Sequence, residues 1–180
     1  MKSIFRLVLA AALVGLGVWM WFVLFPSPGK VIRKRLVGLA RTVSFSTNEG
    51  NLTRLAGAQN LGFFFSTNVE VNIDVPGHER HVFVGRGEII QAAVAARATV
   101  GGLKVKFPDI NITVAPDKQS ATADLTVEAR VSGQQDLIVQ EMKFTLQKTD
   151  GQWLVTRVET VRTLSILHFE PPRFPSIVLT

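Results

Sequence analysis

The sequence predicts an α+β domain of three helices and a mostly antiparallel sheet, preceded by one transmembrane helix. Three observations predict this fold class. A run of nineteen uncharged residues, Leu7 to Phe25, lies near the amino terminus. Apolar residues then recur with a helical period in three segments. In the remaining stretches they alternate with polar residues, as in strands that bury one face.

The uncharged run is long enough to span a bilayer. As a helix it covers about 28 Å, close to the hydrocarbon thickness of a membrane. A secretory signal has a shorter apolar core and ends in small residues, whereas this run ends in Trp21-Phe22-Val23-Leu24-Phe25. We therefore predict a retained anchor over residues 1–25, one domain over residues 26–164, and a proline-containing tail over residues 165–180.

The two flanks of the anchor disagree about its orientation. The cluster Lys30, Arg33, Lys34 and Arg35 follows the span, and by the positive-inside rule it would stay in the cytoplasm. Lys2 and Arg6 precede the span and resemble the basic start of a bacterial export signal. We expect the second arrangement, which places the domain outside the cytoplasm, in the periplasm if the cell is Gram-negative.

The positive charge of the chain is concentrated next to the anchor. Residues 26–62 hold six Lys or Arg and one acidic residue, whereas residues 63–180 hold twelve and thirteen. This distribution argues against nucleic acid as a partner of the domain. A basic segment beside a membrane is expected to meet anionic headgroups, although a solvated helix face would have the same composition.

Three helices are predicted by their apolar spacing. The first follows Ser27 and Pro28, which are typical of a helix start. The second covers about Asn51 to Phe64, and the third follows Gly85-Arg86-Gly87. Their apolar sides are predicted as Ile32, Leu36, Leu39, Ala40 and Val43; Leu52, Leu55, Ala56, Gln59 and Phe63; and Ile89, Ile90, Ala93, Val94 and Ala96.

The strands follow from alternation and from turn residues. Val69 to Val75 alternates, and a turn leads to a short strand from His81 to Val84. Pro108-Asp109 shifts the apolar face by one residue, which predicts a bulge. Residues 121–131 and 138–146 alternate again, and "KTDGQ" predicts a hairpin turn before Trp153.

The order of these elements resembles the NTF2-like superfamily, which includes ketosteroid isomerases and SnoaL-like cyclases. The resemblance rests on "FFFSTNVEVNI", "FVGRGEII" and "KFTLQKTDGQWLVTRVE", and covers roughly residues 30–164. It implies a curved, mostly antiparallel sheet that encloses a conical apolar pocket with three helices. It also implies dimerisation through the outer face of the sheet, here the polar side of residues 122–130 and 141–145.

The resemblance maps one catalytic position onto this chain, Asp74, which matches the general base of ketosteroid isomerase-like members. A carboxylate in an apolar cavity can have a raised pKa and abstract a proton. The isomerase pattern also requires a tyrosine donor, and this chain has no tyrosine. Asp74 also precedes Val75-Pro76-Gly77, where an aspartate commonly bonds to its own backbone. His78 and His81 lack an evident third metal ligand, and no motif indicates a cofactor.

Three functions are consistent with the sequence. The first is a membrane-anchored module that binds an apolar small molecule or a protein without chemistry, and we expect this one. The second is an assembly subunit, because a short tail, one span and an NTF2-like domain resemble the VirB8-like components of type IV secretion machines. The third is a lyase or isomerase that uses Asp74 as its base.

Overall fold

The computed structural model describes residues 27–74, 81–134 and 137–167, and the side chains of this part up to residue 162. It is an α+β fold of three helices and a seven-stranded sheet. A short 3-10 turn joins the second helix to the first strand. The elements are α1 Pro28–Val43, α2 Asn51–Leu61, the 3-10 turn Gly62–Phe64, β1 Phe65–Ile73, β2 His81–Val84, α3 Arg86–Thr99, β3 Leu103–Lys106, β4 Ile110–Val114, β5 Ser120–Val131, β6 Leu137–Thr149 and β7 Gln152–Leu167.

The sheet is mostly antiparallel, as predicted. Its strand order is β2-β1-β7-β6-β5-β3, and β4 pairs with the first half of β5. The pairing of β1 with β7 is parallel and all other pairings are antiparallel. Register shifts interrupt the β6–β7 pairing at three points, and bulges of this kind bend a sheet. The result is the curved sheet that the family resemblance implies.

The core lies between this sheet and α1. Ile32 and Leu36 of α1, Val69 of β1, Leu146 of β6 and Val155 of β7 are its most completely buried large side chains. Ile32 and Leu36 lie four residues apart on one side of α1, and the three strand residues belong to the same buried cluster. The apolar periods of the sequence therefore produce one continuous core. The predicted buried side of α1 is confirmed.

The predicted bulge and hairpin are present. Lys106 of β3 pairs with Glu128, and Ile110 of β4 pairs with Leu125. The three residues 107–109 therefore lie opposite the two residues 126–127 of β5. This is the one-residue shift expected at Pro108-Asp109. At the hairpin, Asp150 and Gly151 both have positive φ angles, 52° and 78°, as the two central residues of a type I′ turn require.

The second helix buries other residues than the sequence predicts, and the third departs from the prediction at Val94 and Arg97. Leu52 of α2 is 85% exposed and Phe63 is 70% exposed, while Ala58 and Leu61 are buried on another side. On α3, Ile89 is buried as predicted but Val94 is exposed, and Arg97 takes a buried position on the helix. Gly57 explains which side of α2 packs against α3, because a Cβ at this residue would lie 2.6 Å from the Arg97 guanidinium. Gly57 lets α3 approach α2 closely, whereas Leu52 and Leu55 of α2 are left in solvent.

The predicted transmembrane segment, residues 7–25, lies outside the described residues, as does the tail from residue 168. Within the part of the chain that the structure describes, no helix has the length and apolar character needed to cross a membrane.

Candidate functional site

The interior of the fold, where the resemblance implies a conical pocket, is occupied by side chains in the described part of the chain. Ala123 in the middle of β5 is fully buried, and Leu125, Met142 and Phe144 around it are at most 7% exposed. Phe107 packs on Phe144 with ring centroids 6.1 Å apart. The sheet and α1 therefore meet as a packed apolar core at this level.

Asp74 lies at the end of β1 and is exposed. Its backbone N–H donates a hydrogen bond to the hydroxyl of Thr160 in β7 at 3.2 Å. Its backbone carbonyl accepts a hydrogen bond from Nε2 of Gln140 at 2.8 Å. These backbone contacts fix the end of β1 onto the neighbouring strands. A catalytic role of the Asp74 carboxylate remains a prediction.

Gln140 is one of two buried polar residues in the described part of the chain, the other being Arg97. It lies on the inward side of β6, in the same alternation as Met142 and Phe144. Together with the half-buried Thr160 it makes this end of the sheet interior polar, whereas the other end is closed by Trp153 and Leu146. In the sequence, Gln140 interrupts the apolar alternation of Ile138, Met142 and Phe144, and this interruption is the signal that could have identified it.

His81 and the Gly85-Arg86-Gly87 segment make contacts within the fold. His81 is exposed and its ring stacks against Phe83, with centroids 6.3 Å apart; His78 and His168 lie outside the described residues. Gly85 has a φ angle of 88° before α3, and Arg86 donates from Nε to the carbonyl of Phe65 at 3.0 Å. Among the residues that the structure describes, no group of three His, Asp or Glu side chains is placed to hold a metal ion.

The four basic residues predicted to face the membrane differ in exposure. Lys30, Arg33 and Lys34 are exposed, whereas Arg35 is partly buried. Arg33 donates to the carbonyl of Ile110 at 2.5 Å. Arg35 donates to the carbonyl of Phe63 and lies over the ring of Phe64, and its partial burial lowers the pKa of the guanidinium. Arg33 and Arg35 thus bind α1 to the rest of the domain.

A crevice of about 310 Å³ lies between α2 and α3. Its walls combine apolar side chains with two guanidinium groups and one amide. Leu55 and Val94 both line it and are 47% and 39% exposed, so apolar surface is open to solvent here. The lining residues are Asn51, Arg54, Leu55, Val94, Arg97 and Ala98.

Arg97 forms the floor of this crevice and is 5% exposed. Its guanidinium donates to the Thr42 carbonyl at 2.5 Å and to the Glu49 carboxylate at 3.1 Å. It also lies 4.9 Å above the ring of Phe45. Arg54 donates to the carbonyl of Thr47 at 2.9 Å. Two arginines against the single carboxylate of Glu49 leave the crevice with a positive balance.

Sequence analysis did not identify this crevice. Arg97 lies one helical turn after Ala93 and two turns after Ile89, on the apolar side of α3. An arginine on the apolar side of a predicted helix is the sequence signal that could have identified Arg97 as a buried residue. Its partners, Thr42 and Glu49, are 55 and 48 residues away in sequence, so only the tertiary structure could supply them.

No family model matches this chain, and a search of curated proteins finds no match. Solved structures do match. A protein of Novosphingobium aromaticivorans named for scytalone dehydratase is 18% identical, with a TM-score of 0.57 over 79% of this chain and 88% of that one. An NTF2-like protein of unknown function from Pseudomonas putida is 12% identical, with a TM-score of 0.55 over 78% and 94%.

A third similar structure, from Novosphingobium aromaticivorans, is named for an aromatic ring hydroxylase; it is 13% identical, with a TM-score of 0.55 over 76% of this chain and 91% of that one. Identities this low establish the fold alone. The NTF2-like fold implied by the sequence is therefore confirmed. The names of these structures differ in chemistry, as expected for a fold that hosts many functions.

Proposed function

We propose that the chain is a membrane-anchored NTF2-like binding module whose domain lies outside the cytoplasm. It holds an apolar small molecule with an anionic group in the crevice between α2 and α3, and it carries out no reaction on it. The anchor is residues 7–25, and the proposal for it rests on the uncharged run and its bulky end.

The crevice is the observation that carries this proposal. Ligand sites are concave, mostly apolar, and contain a few polar groups that fix the orientation of the ligand. Leu55, Val94 and Ala98 provide apolar surface, while Arg54 and Arg97 provide positive charge. An arginine recognises a carboxylate or phosphate by charge and by paired hydrogen bonds. A chain of methylene groups ending in such an anion matches both parts of the crevice.

The enzymatic alternative has less support. General-base catalysis needs a base next to the substrate and preorganised donors for the developing charge. Asp74 is exposed, its backbone is used to hold strand ends together, and the chain has no tyrosine. The packed interior around Ala123 likewise offers no space for a substrate at that level.

The binding proposal is tested by photolabelling in membranes. The full-length chain is irradiated with a fatty acid that carries a diazirine, and the labelled peptides are identified by mass spectrometry. We expect label in residues 51–61 and 86–99, and we expect Val94→Asp and Arg54→Gln each to reduce it severalfold. Val82→Asp is the matched control, since Val82 is 53% exposed on β2.

Two results would contradict the binding proposal. Label confined to residues 7–25 would mean that the fatty acid reports only the lipid around the anchor. Equal labelling by the corresponding diazirine alcohol would remove the role assigned to the two arginines.

The anchor and its orientation have a separate test. Amino-terminal sequencing should find the chain uncleaved, and the protein should remain in the membrane pellet after alkaline washing. The chain has no cysteine, so a Gln152→Cys variant, at the exposed start of β7 next to the β6–β7 turn, can be probed with an impermeant thiol reagent. Labelling before lysis is expected, whereas labelling only after lysis would place the domain in the cytoplasm.

A further inference from the structure

One face of α1 is basic and open to solvent. Lys30, Lys34 and Arg41 are exposed, and their spacing of i, i+4 and i+11 places them within about 40° of one another around the helix. The helix sequence, PGKVIRKRLVGLARTV, contains five basic residues and no acidic residue. All charges on the face opposite the buried Ile32 and Leu36 are therefore positive.

The other two basic residues of α1 orient this face. Arg33 is bound to the carbonyl of Ile110 in β4, and Arg35 is bound to the carbonyl of Phe63. They fasten the two flanks of the helix to the domain. Rotation of α1 about its axis would break both contacts, so the direction of the basic face is fixed relative to the sheet.

An exposed aromatic residue lies at the flank of α1 that carries Arg35. The carbonyl of Phe63 is held by Arg35, which places this residue next to α1, and its side chain is 70% exposed. Val31, one helical turn before Arg35, is 38% exposed. Basic and aromatic residues on one surface are typical of segments that lie in the interface of an anionic membrane.

We infer that α1 lies along the bilayer surface, with Lys30, Lys34 and Arg41 against anionic headgroups and Phe63 inserted between the lipids. This inference rests on the proposed anchor. Only Pro26 and Ser27 separate Phe25 from α1, so the helix begins within about 10 Å of the end of the span. Ser27 has a non-helical ψ angle of 139° and Pro28 follows it, which permits a change of direction between the proposed span and α1.

Lipid charge should control this docking. Each basic residue near an anionic surface contributes about 1 kcal/mol, equivalent to about fivefold in the ratio of docked to undocked domain. The triple variant Lys30→Gln/Lys34→Gln/Arg41→Gln should therefore lower that ratio by about 100-fold. The anchor itself should be unaffected by these three substitutions.

The experiment uses the full chain in nanodiscs. A single cysteine replaces Phe63 and carries an environment-sensitive fluorophore, and the discs contain either phosphatidylcholine alone or phosphatidylcholine with about one third phosphatidylglycerol. We expect a blue-shifted emission, quenched by nitroxide-labelled lipids, only in the anionic discs, and loss of both effects in the triple variant. Leu52→Cys is the matched control, because Leu52 is 85% exposed on α2 and outside the proposed contact.

The outcomes separate this inference from the anchor proposal. A chain that co-elutes with the discs but keeps a water-exposed fluorophore at position 63 overturns the docking and leaves the anchor intact. Equal quenching in both lipid mixtures overturns the role of the three basic residues. In a parallel sample of the unlabelled Phe63→Cys chain with an added oxidant, a disulfide between two copies would show that a second copy occupies the face and would overturn the docking. A chain that does not co-elute with the discs overturns the anchor.

Discussion

The contact between Arg97 and Glu49 should stabilise the whole helical layer, and Arg97→Met tests this. The guanidinium is 6% exposed at the side-chain level and joins α3 to the end of α1 and to the loop before α2. Methionine keeps much of the volume but removes two charge-bearing hydrogen bonds and the contact with the Phe45 ring.

The size of the effect follows from which group is left without its partner. Removing one partner of a buried ion pair costs about 3–5 kcal/mol because the other charge stays uncompensated. The Glu49 side chain is 23% exposed and can regain water, so Arg97→Met should cost about 3 kcal/mol, at the low end of that range. Glu49→Ala leaves the more deeply buried guanidinium unpaired and should cost at least as much.

Urea denaturation followed by circular dichroism measures both variants and the double variant. Because the two groups share one contact, the double variant should lose less stability than the sum of the single losses, by about 1–2 kcal/mol. Arg157→Met is the control. Arg157 contacts Glu70 at 2.6 Å on the exposed outer face of the sheet, where Glu70 raises the pKa of the guanidinium, and its loss should barely move the midpoint. A strictly additive double variant would refute the argument.

Four further predictions concern stability, chemistry and assembly. Trp153 is 3% exposed, so Trp153→Ala should cost about 3–5 kcal/mol; an unchanged thermal midpoint would contradict its structural role. Gly151→Ala should cost about 1–2 kcal/mol of stability, because Gly151 has a positive φ angle that alanine disfavours. A Cβ at this position would meet no neighbouring atom, so the cost would come from the backbone alone. The control Gly87→Ala, which also has free space but lies in α3, should stabilise the domain in the same denaturation assay. Asp74→Asn should complement a deletion strain fully, and a loss of function at normal protein level would make the chain an enzyme. The fragment 27–180 should sediment as a dimer at tens of micromolar, and a purely monomeric profile would contradict dimerisation.

The outer face of β5 and β6 shows what the alternation of polar and apolar residues can predict about a sheet. The sequence predicts that Asp124 and Lys143 belong to one polar face, and the structure pairs them directly across the two strands. Alternation assigns each residue to a side of its strand, and the Asp-Gly turn fixes the register of the neighbouring hairpin. Whether that face also meets a second copy depends on surfaces that the chain by itself does not define.

The types of element, the buried face of α1, the bulge at Pro108-Asp109 and the Asp150-Gly151 turn could all be predicted from the sequence. These features depend on period, on backbone preference and on neighbours a few residues away, which are all local properties. The buried side of α2 and the pairing of Arg97 inside the helical layer could not be predicted from it. Both depend on how closely two helices approach, which is set by Gly57 and by partners about fifty residues distant. The helical period shows where apolar residues lie on a helix, but burial also requires an opposing surface that fits them.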